Sequence, residues 1–240
     1  MIQYSLWVVC VFCILVNADP VSFINKCKAD DDKCIKETTR VVIPKFTDGL
    51  PEYNVETLDP VFFKNIDSSS PTLKLLLDNV TVKNLKKCIP KSVRRDAQKA
   101  KLYLKIQCDA TLDGHYDMNG RLLILSISGN GKIHVDLRKA VFDIEIDLMD
   151  KKGKDGKNHW QVKSWKYTYE LNDKSTVYFE NLLSGNPALA EAAKNVIAES
   201  GNEIIREVGS PVLKAVIGRI IENILHFFRA VPIEDLTLDN

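Results

Sequence analysis

Residues 101–112 alternate without interruption: Leu102, Leu104, Ile106, Cys108, Ala110 and Leu112 share one parity, and Lys, Tyr, Gln, Asp and Thr occupy the other. Period two over this length predicts a half-buried β-strand. Similar patterns fill the middle of the chain. Residues 121–127 read as a strand, Gly129-Asn130-Gly131 as a hairpin turn, and Ile133, Val135 and Leu137 as the returning strand. Phe142, Ile144, Ile146 and Leu148 continue in the opposite parity, so a bulge or bend is expected near Lys139-Ala140. A polar loop over 150–158 leads to an aromatic strand with Trp160, Val162, Trp165, Tyr167, Tyr169 and Leu171. Residues 73–85 give a further strand whose alternation slips near Asp78. Strands this long form a large, curled antiparallel sheet.

The pattern turns helical after Gly185. Asn186-Pro187 reads as a cap with proline in the first turn, followed by a stripe of Leu189, Ala193, Val196, Ile197, Ile204 and Val208 that Gly201 weakens. Gly209-Ser210-Pro211 breaks and restarts the helix. Leu213, Val216, Ile217, Ile220, Ile221, Ile224, Leu225 and Phe228 then form a face broad enough to need an apolar wrap. Lys214, Arg219 and Glu222 mix both signs on its polar side, which favours core burial over a membrane-surface helix. Near the other end, Asp30, Asp31 and Asp32 cap a helix carrying Ile35, Val42, Ile43 and Phe46 on one face. Pro44 is expected to kink or end it, and Asp48-Gly49-Leu50-Pro51 to stop it.

Residues 1–18 contain no charged side chain, and 6–16 form an apolar run ending in Val16-Asn17-Ala18. That is the pattern of a secretory signal peptide, too short for the about 18 to 20 residues a membrane span requires. The remaining residues, 19–240, suit one domain with a sizeable core. The 33 basic and 32 acidic residues nearly cancel, which argues against nucleic acid or another polyanion as partner, and no later segment is apolar enough for stable membrane insertion.

Four cysteines follow the signal segment: Cys27, Cys34, Cys88 and Cys108. An even number in an oxidising compartment implies two disulfides. Two cysteines seven apart in one regular helix would stand about 10 Å from each other, so a bridge between Cys27 and Cys34 requires Cys27 to precede the helix. A chain reversal at 96–99 makes residues face each other when their numbers add to 196, which sets Cys88 opposite Cys108. Pro90 then marks an edge or irregular position.

The spacing Cys27-x6-Cys34, together with Gly49-Leu50-Pro51-Glu52, Leu58-Asp59-Pro60, Gly114-x-Tyr116 before Gly120-Arg121-Leu122-Leu123, Gly129-x-Gly131, and His226-Phe227 ahead of Val231-Pro232, resembles the insect takeout family. That family is related to the juvenile hormone binding proteins of moths. The resemblance spans essentially the whole chain after the signal segment. It implies an α+β fold, a long curled antiparallel β-sheet wrapped around a long C-terminal helix and enclosing an elongated apolar tunnel. It further implies a secreted carrier of small hydrophobic ligands. The N-terminal cystine matches the family, whereas Cys88 and Cys108 depart from the second disulfide typical of the moth hormone carriers, which points away from juvenile hormone itself.

Little in the chain competes with carriage. His115, His134, His159 and His226 form no metal-ligand spacing, and Ser128 and Ser184 lack a Gly-x-Ser-x-Gly elbow. Asp143, Glu145 and Asp147 share one strand face and read as a solvated surface. The sequence calls for no cofactor and no metal. The expected function is a secreted, non-enzymatic carrier of a small elongated hydrophobic ligand. A secreted lipid-active hydrolase and a signalling protein bound to an unidentified receptor or membrane are the alternatives. Inward-facing candidates for the ligand wall are Leu102, Leu104, Ile106, Leu123, Leu125, Ile127, Val135, Leu137, Ile217, Ile220 and Ile224, of which a minority are expected to touch ligand. Asn79-Val80-Thr81 is the chain's one glycosylation sequon, with Asn79 and Thr81 expected to face solvent. Oligomeric state has no signal here.

Overall fold

A computed structural model describes residues 21–183 and 187–239. The expected signal segment, Ser184 and the expected cap Asn186 lie outside these. Helix α1 (Asp32–Asp48) is followed by strands β1 (Val61–Asp67), β2 (Leu73–Lys83), β3 (Ile89–Asp96), β4 (Lys101–Leu122), β5 (Leu125–Lys152), β6 (Asn158–Leu171) and β7 (Thr176–Phe179). Helices α2 (Pro187–Glu199), α3 (Gly201–Val208) and α4 (Ser210–Ala230) complete the chain. The sheet is antiparallel in the order β1-β2-β4-β5-β6, with β3 also on β4 and β7 also on β5. The two long strands β4 and β5 are therefore its spine. The shorter strands pair along different stretches of that spine, and the sheet does not close into a barrel.

Alternation carries through as the sequence indicates, with slips where it slips. The β2 register shifts between Asp78 and Thr81, with Asn79 at φ 50° on the exposed side and Val80 fully buried. In the spine the register shifts between Cys108 and Ala110. There Lys139 adopts φ 40° and its N–H donates to Asp109 Oδ1 at 2.7 Å. This bulge absorbs the change of parity, so Leu137 before it and Phe142 and Ile144 after it all face the interior.

Both disulfides form, Cys27 with Cys34 and Cys88 with Cys108. Ile89 pairs with Gln107 and Pro90 with Ile106, as the expected register requires, but from Ser92 onward the pairing is one residue later and the turn falls at 97–100. The irregularity between Pro90 and Ser92 reconciles the two. Proline cannot donate to the ladder, so the slip falls where a bond is already missing.

Two expectations need correction. Gly129-Asn130-Gly131 is not a hairpin turn; it lies inside β5, opposite Met118, Asp117 and Tyr116. The reversal comes earlier, at Leu123-Ile124, where Leu123 takes φ 53° and its N–H is held by the Glu207 carboxylate at 3.1 Å. The glycines serve close approach: a Cβ on Gly129 would stand 2.8 Å from Tyr116 Oη and 2.9 Å from the Asn181 carbonyl, and one on Gly131 would stand 2.8 Å from the Glu180 carbonyl. Tyr116 donates across this contact to the Glu180 carbonyl at 2.5 Å, and its burial there pushes the phenol up to about 12. Likewise Pro44 does not end α1. The helix continues through it to Asp48, where the Gly49 N–H bonds to the Phe46 carbonyl and the Thr47 hydroxyl reaches back to the Ile43 and Pro44 carbonyls.

The C-terminal helical region consists of three helices. Gly201 starts α3 where a Cβ would lie 2.0 Å from the Ser175 carbonyl, and Gly209 separates α3 from α4. Alanine at Gly129 should therefore destabilise the fold by about 1 to 3 kcal/mol. At Gly218 in α4, where the nearest atom would be Trp165 Cζ2 at 3.6 Å, alanine should stabilise by about 0.5 to 1 kcal/mol through helix propensity. Urea midpoints of the two variants, measured with disulfides intact, should move in opposite directions.

Candidate functional site

Between the concave face of the sheet, the inner face of α1 and the faces of α3 and α4 lies a cavity of about 420 Å³. Leu102, Leu104 and Ile106 line it from β4, Val135 and Leu137 from β5, and Ile217, Ile220 and Ile224 from α4. Alternation explains the strand contributions, since residues two apart share a face. On α4 the spacing of three and four places the isoleucines on one stripe. Leu123, Leu125 and Ile127 do not reach the wall. They sit at the spine's turn, past Ile133, where β4 and β5 run into solid packing around Tyr116, Met118 and Leu122.

Other parts of the wall were not foreseen. Ile35, Val42, Ile43 and Phe46 of α1 form one side of it. Their helical stripe was visible in the sequence, but not what it packs against. Trp160 of β6, Val177 and Phe179 of β7 and the Cys88–Cys108 bridge also contribute. At one end, Phe227 meets Phe46, Tyr53 and Phe23 at ring separations of 6.0, 5.2 and 6.4 Å, and Phe228 stands edge-on to Trp160 at 5.3 Å. Such edge contacts add to the stabilisation from burial alone.

No Asp, Glu, Lys, Arg or His is among the described lining residues. Charged side chains lie elsewhere on the sheet, several of them in ion pairs. Asp143 bonds to Lys105 at 3.2 Å, and Lys101 lies between Asp147, at 2.7 Å, and Glu145. Hydrogen bonds to Asp147 and Glu145 push the Lys101 ammonium above its usual range, and their reciprocal effect holds both carboxyls below theirs. Asp113 is held low chiefly by its bond to His134 at 2.7 Å. The acidic row read as a solvated face is thus an ion-paired one. Two further histidines are engaged separately: His159 stands between Asp155 and the Phe228 carbonyl, and His226 bonds to the Asn54 carbonyl. A site of this composition offers burial and shape, with no assembled acid, base or nucleophile in its wall.

One polar residue on α4 escaped the sequence reading. Asn223, 1% exposed, accepts from the Glu56 N–H at 2.9 Å and donates to Glu56 Oε1 at 3.0 Å and to the Arg219 carbonyl at 2.9 Å. It fixes α4 to the loop after α1, and so fixes the isoleucine stripe against the sheet.

Residues 6–238 match the family described as haemolymph juvenile hormone binding protein (JHBP). The crystal structure of Epiphyas postvittana Takeout 1 superposes with a TM-score of 0.86 at 27% identity, covering 90% of this chain and 100% of that one. The circadian clock-controlled protein daywake of Drosophila melanogaster is 22% identical over 186 residues, 72% of this chain and 71% of its own length. Its Drosophila yakuba counterpart is 23% identical over the same span.

Replacing the buried Asn223 with alanine removes the three hydrogen bonds that tie α4 to Glu56 and to its own Arg219 carbonyl, and should cost about 1 to 3 kcal/mol. Arg219→Ala removes the more exposed pair with Glu56, a 3.7 Å pair with Glu222 and a cation–π contact over Phe63, and should cost about 1 kcal/mol or less. Chemical denaturation of both variants gives the comparison.

Proposed function

The chain belongs to the haemolymph juvenile hormone binding protein family, and from that premise we propose that it is a secreted carrier, taking a small elongated hydrophobic ligand into its internal tunnel. The supporting observation is the cavity of about 420 Å³ with no charged residue among the described residues of its wall. That volume falls within the range of small-molecule sites. Burial drives the binding: an aliphatic or isoprenoid chain losing about 400 Å² of apolar surface to the tunnel gains roughly 10 kcal/mol before ordering costs. No charged anchor is then needed. The wall residues from β4, β5 and α4 named above are the proposed contacts, and residues 19–240 the proposed ligand-binding domain, released from the 1–18 signal segment. The role is carriage without catalysis. Two disulfides in a compact domain suit an oxidising, extracellular compartment.

Tryptophan at Ile217 or Ile220 would project into the tunnel. Each variant should lose most binding of a fluorescent lipid while its melting temperature stays near that of the parent, and Asp143→Asn, on the charged face, should leave binding unchanged. If the tunnel were ordinary core, overpacking would cost about 1 to 3 kcal/mol of stability. Early unfolding of the tryptophan variants, with no probe bound by the parent protein, would refute carriage.

Secretion carries a second expectation. Asn79 stands exposed at the β2 bulge, two residues before Thr81 and beside the buried Val80, where a glycan would project into solvent. Protein from a secretory host should lose mass on glycosidase treatment, and Asn79→Gln should abolish that loss. An unchanged parent mass would remove the glycan from the account.

A further inference from the structure

The tunnel's few polar groups say what kind of head group it can receive. Four hydroxyls border it on α1 and at the end of β1. The Thr39 hydroxyl donates to the Ile35 carbonyl at 2.8 Å, Thr47 to the Ile43 and Pro44 carbonyls at 2.9 and 3.0 Å, and Thr38 to the Asn25 carbonyl at 3.1 Å. Ser68 donates to the carbonyl of Val208. Each of these protons is therefore committed to backbone. Thr111 lies between Ala110 and Leu112 on the opposite strand face, where its hydroxyl accepts from Asn84 Nδ2 at 3.5 Å. The indole of Trp160 is the other donor, but Thr111 pairs with Asp136 and Trp160 with Asp150, which are 150 − 136 = 14 residues apart along β5. The hydroxyl and the indole therefore lie opposite different stretches of β5 and are not a converging pair of donors.

A carboxylate in an apolar site needs two or three converging donors or a cation. The wall supplies neither. Ile24 and Thr38 line both the tunnel and a shallow surface cleft that contains Asp31, Glu37 and Lys33. Glu37 is paired there with Arg40 at 3.0 Å, so two carboxylates are balanced by two cations and the cleft offers no surplus positive charge to hold a carboxylate at the tunnel's edge.

Building on the carrier reading, we propose that the tunnel accepts its guest only as an uncharged chain: a hydrocarbon, ester or alcohol, and a fatty acid only as the protonated acid. The linkage follows from that preference. A bound carboxyl whose pKa is raised above its value in water binds fully below the free value and loses affinity as pH rises toward the bound one. No titratable group among the described wall residues complicates this, and the charged groups at the cleft are Asp31, Lys33, Glu37 and the Arg40 paired with Glu37.

The test uses the full protein loaded with the neutral fluorophore N-phenylnaphthylamine, displaced by methyl palmitate or by palmitate below its micellar concentration. The ester should displace equally well at about pH 8 and about pH 5, whereas palmitate should be at least about tenfold weaker than the ester at the higher pH and recover at least about tenfold at the lower. Palmitate that matches the ester at the higher pH, with no pH dependence, overturns the proposal while leaving carriage intact. A protein that takes up neither the fluorophore nor the ester overturns both.

Discussion

The pairing of β4 with β5 is the constraint on which the rest depends. From Lys101 opposite Asp147 to Leu122 opposite Leu125, one antiparallel ladder fixes which side chains share a face. A slip of a single residue would turn the apolar set outward. The sequence changes parity partway along β5, and the bulge at Lys139, held by Asp109, keeps both halves of the strand facing inward. Every other element is placed by this spine: β2 and β3 on the β4 side, β6 and β7 on the β5 side, and the helices across the concave face.

That arrangement leaves a void that ordinary packing would fill. Protein interiors are close-packed, with few voids larger than a water molecule. A cavity of about 420 Å³ therefore carries a cost on the order of several kcal/mol when empty, judged from engineered cavities. Rigid attachments hold it open. Asn223 fixes α4 to the loop after α1, the Cys88–Cys108 bridge spans the β3–β4 edge of the wall, and Tyr116 fixes the spine to the segment after β7. A ligand that fills the space recovers contacts the wall lacks without it. On this view the apolar wall and the charge-paired surface are one design, with the charges kept where water can solvate them.

Much of this was legible in the sequence because period-two alternation reports the buried face directly. The strand over 101–112, the parity change near Lys139 and the pairing of Cys88 with Cys108 could be read because each depends on near neighbours or on one turn. Contacts between distant segments could not be read. Gly129 and Gly131 look like a turn until Glu180 and Asn181 are seen against them, and the actual turn, Leu123-Ile124, lacks the usual glycine or asparagine. Ile124 is 86% exposed there, a poor position for isoleucine by composition alone. The stripe on α1 was visible but had no visible partner, and Asn223 went unread because nothing in the local pattern points to Glu56, its partner 167 residues away. Of the proposed wall, the strand and α4 positions nearest the middle of the spine were accessible to pattern reading, and the α1 side was not.

The central claim is that the space inside the sheet exists to be occupied. Protein purified from a secretory host, extracted with organic solvent and examined by mass spectrometry, tests it most directly. The account predicts an apolar compound released in near-stoichiometric amount, whose removal lowers the melting temperature and whose return restores it. A protein that yields no such compound, and whose melting temperature does not respond to any added apolar chain, would contradict it.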